Sequence, residues 1–182
     1  MDFEHLTGDD VTTQRNARPG LPEPLSTGIL QSVFASPIRH LAYITNDTVA
    51  AIEHFESIGV GSWTTFDVRD GAVRASFSHL PGCSTPWFEI VEPLVDAPPI
   101  FPLITADDPW ISLHHVGAHL DVDANAASSE ATEAGLSVHR SQVARGDITA
   151  EVVYVDARNA LGHWLEVLCP ATTVSREGTM IG

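Results

Sequence analysis

The sequence predicts an α+β fold of two tandem βαβββ modules. Three observations carry the prediction: landmarks that recur about 76 residues apart, the same strand and helix pattern in each copy, and paired prolines at the join. His40 in Ile38-Arg39-His40-Leu41-Ala42 answers His115 in Leu113-His114-His115-Val116-Gly117, an offset of 115 − 40 = 75. Ala50-Ala51 answers Ala126-Ala127, and Gly59 answers Gly135, both at 76. Phe88-Glu89-Ile90-Val91-Glu92-Pro93 answers Leu165-Glu166-Val167-Leu168-Cys169-Pro170 at 77. Four landmarks in one order at a nearly constant offset indicate a duplicated module with pseudo-two-fold symmetry. Two copies are too few and too long for a solenoid.

Each module opens with a strand of alternating apolar residues, 39–45 in the first and 114–121 in the second. A helix follows over roughly 47–57 and 124–134. Val49, Ile52 and Phe55 supply its apolar face in the first module, and alanine-rich spacing supports it in the second. Asp47 and Asp123 stand where N-caps belong, and Gly59 and Gly135 where a left-handed residue ends a helix. Three strands complete each module: about 62–68, 72–79 and 86–92, against 137–143, 149–156 and 163–169. Arg69-Asp70-Gly71 reads as the hairpin turn between the first two of these. The organisation is therefore an extended leader over 1–36, a first module over 37–98, a linker over 99–111, a second module over 112–170 and a tail over 171–182. Pro98-Pro99 opens the linker, because paired prolines continue neither a helix nor a central strand. Within the leader, Ile29 to Phe34 is apolar enough to dock on the body as a helical turn or a strand.

Composition narrows the function. Apolar residues are 43% of the 182, a globular proportion. Nine Lys and Arg stand against 24 Asp and Glu, for a formal charge of −15. Such a surface has little with which to neutralise phosphates, so neither nucleic acid nor an anionic membrane is an expected partner. No apolar run approaches the roughly 18 residues of a membrane span, and no secretory signal pattern is visible. Cys83 and Cys169 have no Cys-x-x-Cys spacing, which suits a reducing cytoplasm.

Nine histidines in an acidic chain direct attention to metal ligands. His40 and His115 occupy matching places on the first strands, and Glu89 and Glu166 matching places on the last. If the modules pair so that these strands line one cupped sheet, two imidazoles and two carboxylates converge. That mixed N/O set suits a divalent ion such as Zn, Ni, Co, Fe or Mn. A glutamate inside an apolar strand is otherwise costly, since an unpaired buried carboxylate is disfavoured by several kcal/mol. By strand alternation Trp87 and Trp164 share the inward face with the glutamates, which suggests either an apolar pocket or, the commoner role of tryptophan, core packing. His119, four residues after His115, faces the same way and is a candidate auxiliary or proton shuttle, or a solvated histidine. Regular strands would turn His114 and His163 away. His79 ends a strand and is a weaker candidate; Arg140 and Arg145 either grip an anionic substrate group or form surface ion pairs.

These residues resemble the vicinal oxygen chelate superfamily, which includes glyoxalase I and methylmalonyl-CoA epimerase. The resemblance lies in Arg39-His40-Leu41-Ala42-Tyr43-Ile44, Gly59-Val60-Gly61-Ser62-Trp63, Trp87-Phe88-Glu89-Ile90-Val91-Glu92-Pro93, Leu113-His114-His115-Val116-Gly117 and Gly162-His163-Trp164-Leu165-Glu166-Val167-Leu168. It covers about residues 37–170. It implies a cupped, mostly antiparallel eight-stranded sheet around one divalent metal, with His40, Glu89, His115 and Glu166 as ligands. The His114-His115 doublet is similar to the epimerase branch, whereas Glu89, where epimerases can carry Gln, is closer to glyoxalase I.

The activity implied is metal-dependent isomerisation, epimerisation or elimination by a lyase, through an enolate or enediolate of a small oxygenated substrate. Glu166 or Glu89 would act as the base, with Glu166 preferred and a metal-bound hydroxide the other option, and Trp87, Trp164 and His119 would contact the substrate. An apolar or aromatic substrate suits the tryptophans, and few cations make coenzyme A less attractive. A homodimer, common in the family, is compatible with this reading. Two alternatives share the scaffold. An extradiol-type ring-cleaving dioxygenase needs two His and one carboxylate, so a fourth protein ligand speaks against it. A metal-free small-molecule binding or resistance protein needs none of the four.

Overall fold

Residues 29–68, 71–79, 87–145 and 148–170 are described in a computed structural model of the chain. Their elements run α1 (Ile29–Ala35), β1 (Ile38–Thr45), α2 (Thr48–Ser57), β2 (Thr64–Val68), β3 (Val73–His79), β4 (Trp87–Pro93), β5 (Ile111–His119), α3 (Ala124–Glu133), β6 (Val138–Arg145), β7 (Ile148–Val155), α4 (Arg158–Leu161) and β8 (Trp164–Leu168). All eight strands join one sheet in the order β2-β3-β4-β1-β5-β8-β7-β6. The order reads as two copies of one pattern back to back, and the sheet curls into a half-barrel. β1–β4 and β5–β8 are parallel, and the other five neighbouring pairs are antiparallel.

The seam between the copies is the antiparallel pair β1–β5, where His40 lies opposite Gly117 and Ala42 opposite His115. This seam is irregular twice. Arg39 is an extra residue on β1 between Ile38 and His40, and His114 is an extra residue on β5 between the partners of Ala42 and Tyr43. Such bulges re-aim side chains locally.

Helices cover one face of the sheet. Asp47 accepts a hydrogen bond from the Ala50 amide at 2.9 Å, and Asp123 accepts from Asn125 and Ala126, so both expected N-caps are in place. Gly59 and Gly135 have φ of 93° and 78°, a conformation that costs glycine least. The buried face of α2 differs from expectation. Thr48, Ala51 and Phe55 point inward, one helical stripe, while Val49 lies about 100° round the helix and is 68% exposed. In α3 the buried stripe is Ala124, Ala127 and Ala131, small residues that let it lie close to the sheet. These stripes pack on Ile90 and Tyr43 in the first copy and on Val153, Val155, Leu165 and Val167 in the second.

Within the leader, Ile29–Ala35 is helical, one of the two forms expected of Ile29 to Phe34, and Val33 is buried in the second-copy core. Residues 1–28, the tail over 171–182, Cys83, and Arg69 and Asp70 of the expected hairpin turn lie outside the described residues. The short α4 was not anticipated; it ends at Gly162, whose φ is 83°.

On the opposite, concave face the segment between β4 and β5 folds back over the sheet. Ile100 and Phe101, both 3% exposed, pack with Ile44, Val73, Val91, Val152 and Tyr154. This plug fills one end of the cup.

Candidate metal centre

Beside the plug, His40, Glu89, His115 and Glu166 converge on the concave face. One ligand-type atom from each lies within 4.8 Å of all the others, and all four residues are buried. Strand alternation and the register explain the convergence. β1 runs parallel to β4, β5 runs parallel to β8, and the seam brings the two histidine strands side by side. His40 Nε2 is 3.0 Å from His115 Nε2, 3.3 Å from Glu89 Oε2 and 2.6 Å from Glu166 Oε2. His115 Nε2 is 3.3 Å from Glu89 Oε2 and 3.5 Å from Glu166 Oε2.

Each imidazole crosses the seam over a small residue. His115 lies opposite Ala42, which is fully buried, and His40 opposite Gly117. A Cβ on Gly117 would overlap Cε1, Nε2 and Nδ1 of the His40 ring. Gly117 was not singled out as functional from the sequence. Its signal was there: a glycine inside a strand marks a close approach, and the residue two places after each histidine is small.

The electrostatics are those of closely spaced charges in a buried site. Burial alone would lower the pKa of His115, but the Glu166 and Glu89 carboxylates outweigh it and raise the value to about 9. Burial opposes ionisation of Glu166, yet His40 and His115 hold its carboxyl well below the usual range. His114, turned inward by the bulge rather than away, contacts His115 through Nδ1 at 2.9 Å and Ile100 O through Nε2 at 2.8 Å. Burial, helped by His115, pushes its pKa down to about 4, so it is neutral.

The donor set passes a simple test of fit. An ion about 2.0–2.2 Å from each nitrogen and oxygen separates neighbouring donors by roughly 3 Å. The observed separations of 2.6–3.5 Å fall around that value. Glu166 Oε2 is also buried and faces both imidazoles, 2.6 Å from His40 Nε2 and 3.5 Å from His115 Nε2. Two imidazole nitrogens and two carboxylate oxygens thus crowd about one point. These four residues can hold a divalent cation.

Of the expected neighbours, Trp87 lies next to the centre, its ring 5.9 Å from that of His40 and 5.4 Å from Phe77, which stacks on Phe66 at 5.3 Å. Phe66, Phe77 and Trp87 thus form an aromatic strip leading away from the centre, of which only Trp87 was expected. Trp164 packs against the core cluster that includes the plug, with the Arg158 guanidinium 4.6 Å over its ring. His119 is exposed and belongs to no ligand cluster among the described residues; partial burial, then Arg39 and His40, lower its pKa. Arg140 is committed to Asn125 and Glu151, the surface role. His163 donates to the Trp164 carbonyl. Cys169 is a buried thiol whose pKa burial raises.

No curated protein matches the sequence significantly. Several solved structures match the fold. Methylmalonyl-CoA epimerase from Mycobacterium tuberculosis superposes with a TM-score of 0.56 at 18% identity, covering 75% of this chain and 89% of that one. A variant of the Streptomyces coelicolor methylmalonyl-CoA epimerase in complex with 2-nitronate-propionyl-CoA gives 0.57 at 18%, covering 75% and 99%. A hypothetical protein from Bacillus halodurans gives 0.56 at 19%, covering 74% and 94%. Residues 39–154, from the first strand through β7, match the family model, and the chain belongs to the Glyoxalase/Bleomycin resistance protein/Dioxygenase superfamily.

Proposed function

We propose that this chain is a metal-dependent isomerase, epimerase or lyase that removes a proton from carbon beside the oxygens of a small, apolar or aromatic substrate. The observation that carries the reading is the buried set His40, Glu89, His115 and Glu166, whose donor atoms lie within 4.8 Å of one another. Each module, over 37–98 and 112–170, contributes one imidazole and one carboxylate. Bound there, a divalent ion such as Zn, Ni, Co, Fe or Mn supplies Lewis acidity that stabilises developing negative charge on substrate oxygen.

The chain's own residues do the rest. Glu166, held ionised by the two histidines, accepts the substrate proton on Oε2. Protonated Glu166 then returns the proton to the carbon, and Glu89 Oε2, 3.3 Å from both imidazoles on the other module, is the alternative base. Trp87, with Phe77 and Phe66 beyond it, offers an apolar wall that excludes water from the reacting carbon. Trp164 and His119 border the same concave face as further substrate contacts. The formal charge of −15 favours a substrate with few phosphates. Four protein donors, two of them carboxylates, support this reading over a dioxygenase site and over a metal-free binding groove.

The test combines metal analysis with a screen of small carbon acids for exchange of the acidic hydrogen with solvent deuterium. Stoichiometric metal is expected, with exchange abolished by chelator and by Glu166→Gln. Exchange that persists in metal-stripped protein and in both Glu166→Gln and Glu89→Gln overturns the reading.

A further inference from the structure

The concave face holds a buried imidazole outside the four-donor set. His114 is the extra residue of the β5 bulge and is 6% exposed. Its ring is held on three sides. Nε2 lies 2.8 Å from the Ile100 carbonyl oxygen, Nδ1 lies 2.9 Å from Nδ1 of His115, and the face stacks on Phe101 with centroids 5.0 Å apart and planes 26° apart.

The polarity of this chain of contacts follows from the carbonyl. A carbonyl oxygen only accepts, so Nε2 of His114 carries the proton and, in the neutral ring, Nδ1 carries the lone pair. Nδ1–H of His115 therefore donates to Nδ1 of His114. With the Nδ1 proton fixed on that side, Nε2 is the nitrogen of His115 that faces the cluster of His40, Glu89 and Glu166, and the one whose proton a cation displaces to take the lone pair. This is the tautomer that binds a cation, and ligand histidines are commonly fixed by such an outer hydrogen bond.

We infer that His114 is a positioning residue: with the Ile100 carbonyl it holds His115 as the Nδ1–H tautomer and so primes Nε2 for a divalent cation. His40 has no such partner, since its Nδ1 is buried without a hydrogen bond. The two imidazoles are constrained by different means, one by a hydrogen-bonded relay to the plug and the other by packing over Gly117. The inference rests on the four donors being a metal site, and it adds a residue that acts on that site without touching the ion.

The test titrates chelator-stripped full-length chain with Zn²⁺. His114→Phe keeps the ring on Phe101 and removes both nitrogens; its Zn²⁺ affinity is expected to fall about 10- to 100-fold. His114→Asn returns an acceptor near Nδ1 and is expected to recover most of that loss, which a purely structural role would not produce. Imidazole ¹H–¹⁵N spectra of the metal-free protein give a second readout. They are expected to show protons on Nδ1 of His115 and Nε2 of His114, the former unprotected in His114→Phe. Zn²⁺ affinity unchanged by His114→Phe, no recovery in a folded His114→Asn, or a proton on Nδ1 of His114 overturns the inference alone. A wild-type chain that takes up no Zn²⁺ overturns the metal reading and the priming role together.

Discussion

Gly117→Ala is the smallest change that reaches the centre, and it adds a single methyl. That methyl would overlap three atoms of the His40 ring, so either the imidazole retreats or the seam between β1 and β5 opens. The backbone itself does not object, because Gly117 is not among the positive-φ residues and alanine is allowed there. Forcing a methyl into a packed site costs about 1–3 kcal/mol. If the cost is met by displacing His40 from the cluster, divalent-metal affinity falls between roughly fivefold and a hundredfold or more. The assay is Zn²⁺ titration of metal-stripped protein alongside thermal melts. His40→Ala supplies the control: with the ring gone, the added methyl meets nothing of it, and Gly117→Ala should be neutral or slightly stabilising through reduced unfolded-state freedom. The double-mutant cycle thus isolates the ring–methyl clash. Wild-type affinity in Gly117→Ala would refute the claim that glycine makes room for His40.

Glu166→Gln and Glu89→Gln should each weaken metal binding, and in proton exchange the loss should be larger for Glu166, read from rates at saturating metal. In metal-stripped protein, stability should peak near pH 6.5 by thermal melts. His115, raised to about 9 from 6.5, stabilises fully below pH 6.5 and loses this as pH rises through 9. His114, lowered to about 4, stabilises fully above pH 6.5 and loses this as pH falls through 4, while Glu166 contributes above its ordinary range and weakens further into acid. A melting temperature flat from pH 6.5 to 9 would contradict the placement of His115 between two carboxylates. Asp123→Ala removes the cap of α3 on the far face; it should cost about 1 kcal/mol, or about 2–4 °C in melting temperature, and leave Zn²⁺ affinity unchanged.

The duplicated pattern made most of the fold legible, because hydrophobic alternation, aspartate caps and post-helix glycines are local signals that survive in each copy. The four donors were legible for the same reason: symmetry put like residues at like places, and matching strands carried them to one point. Alternation failed where the strands are irregular. His114 breaks parity because a bulge inserts it between the partners of Ala42 and Tyr43, and strand pairing across the seam is not a local property of sequence. Val49 was misplaced because hydrophobicity alone cannot fix the phase of a two-to-three-turn helix. The Ile100–Phe101 plug was invisible since its partners are contributed by strands as distant as β1 and β7.

All four donors are supplied by one polypeptide, across a strand pair that closes within the chain. Formed in this way, the centre needs no residue from a second chain. Its affinity for a cation should be independent of protein concentration, and dilution far below any self-association constant should leave metal occupancy at fixed free metal unchanged. A module expressed alone would hold only one imidazole and one carboxylate, and the missing pair would have to come from a second molecule at a concentration cost that the tandem chain never meets.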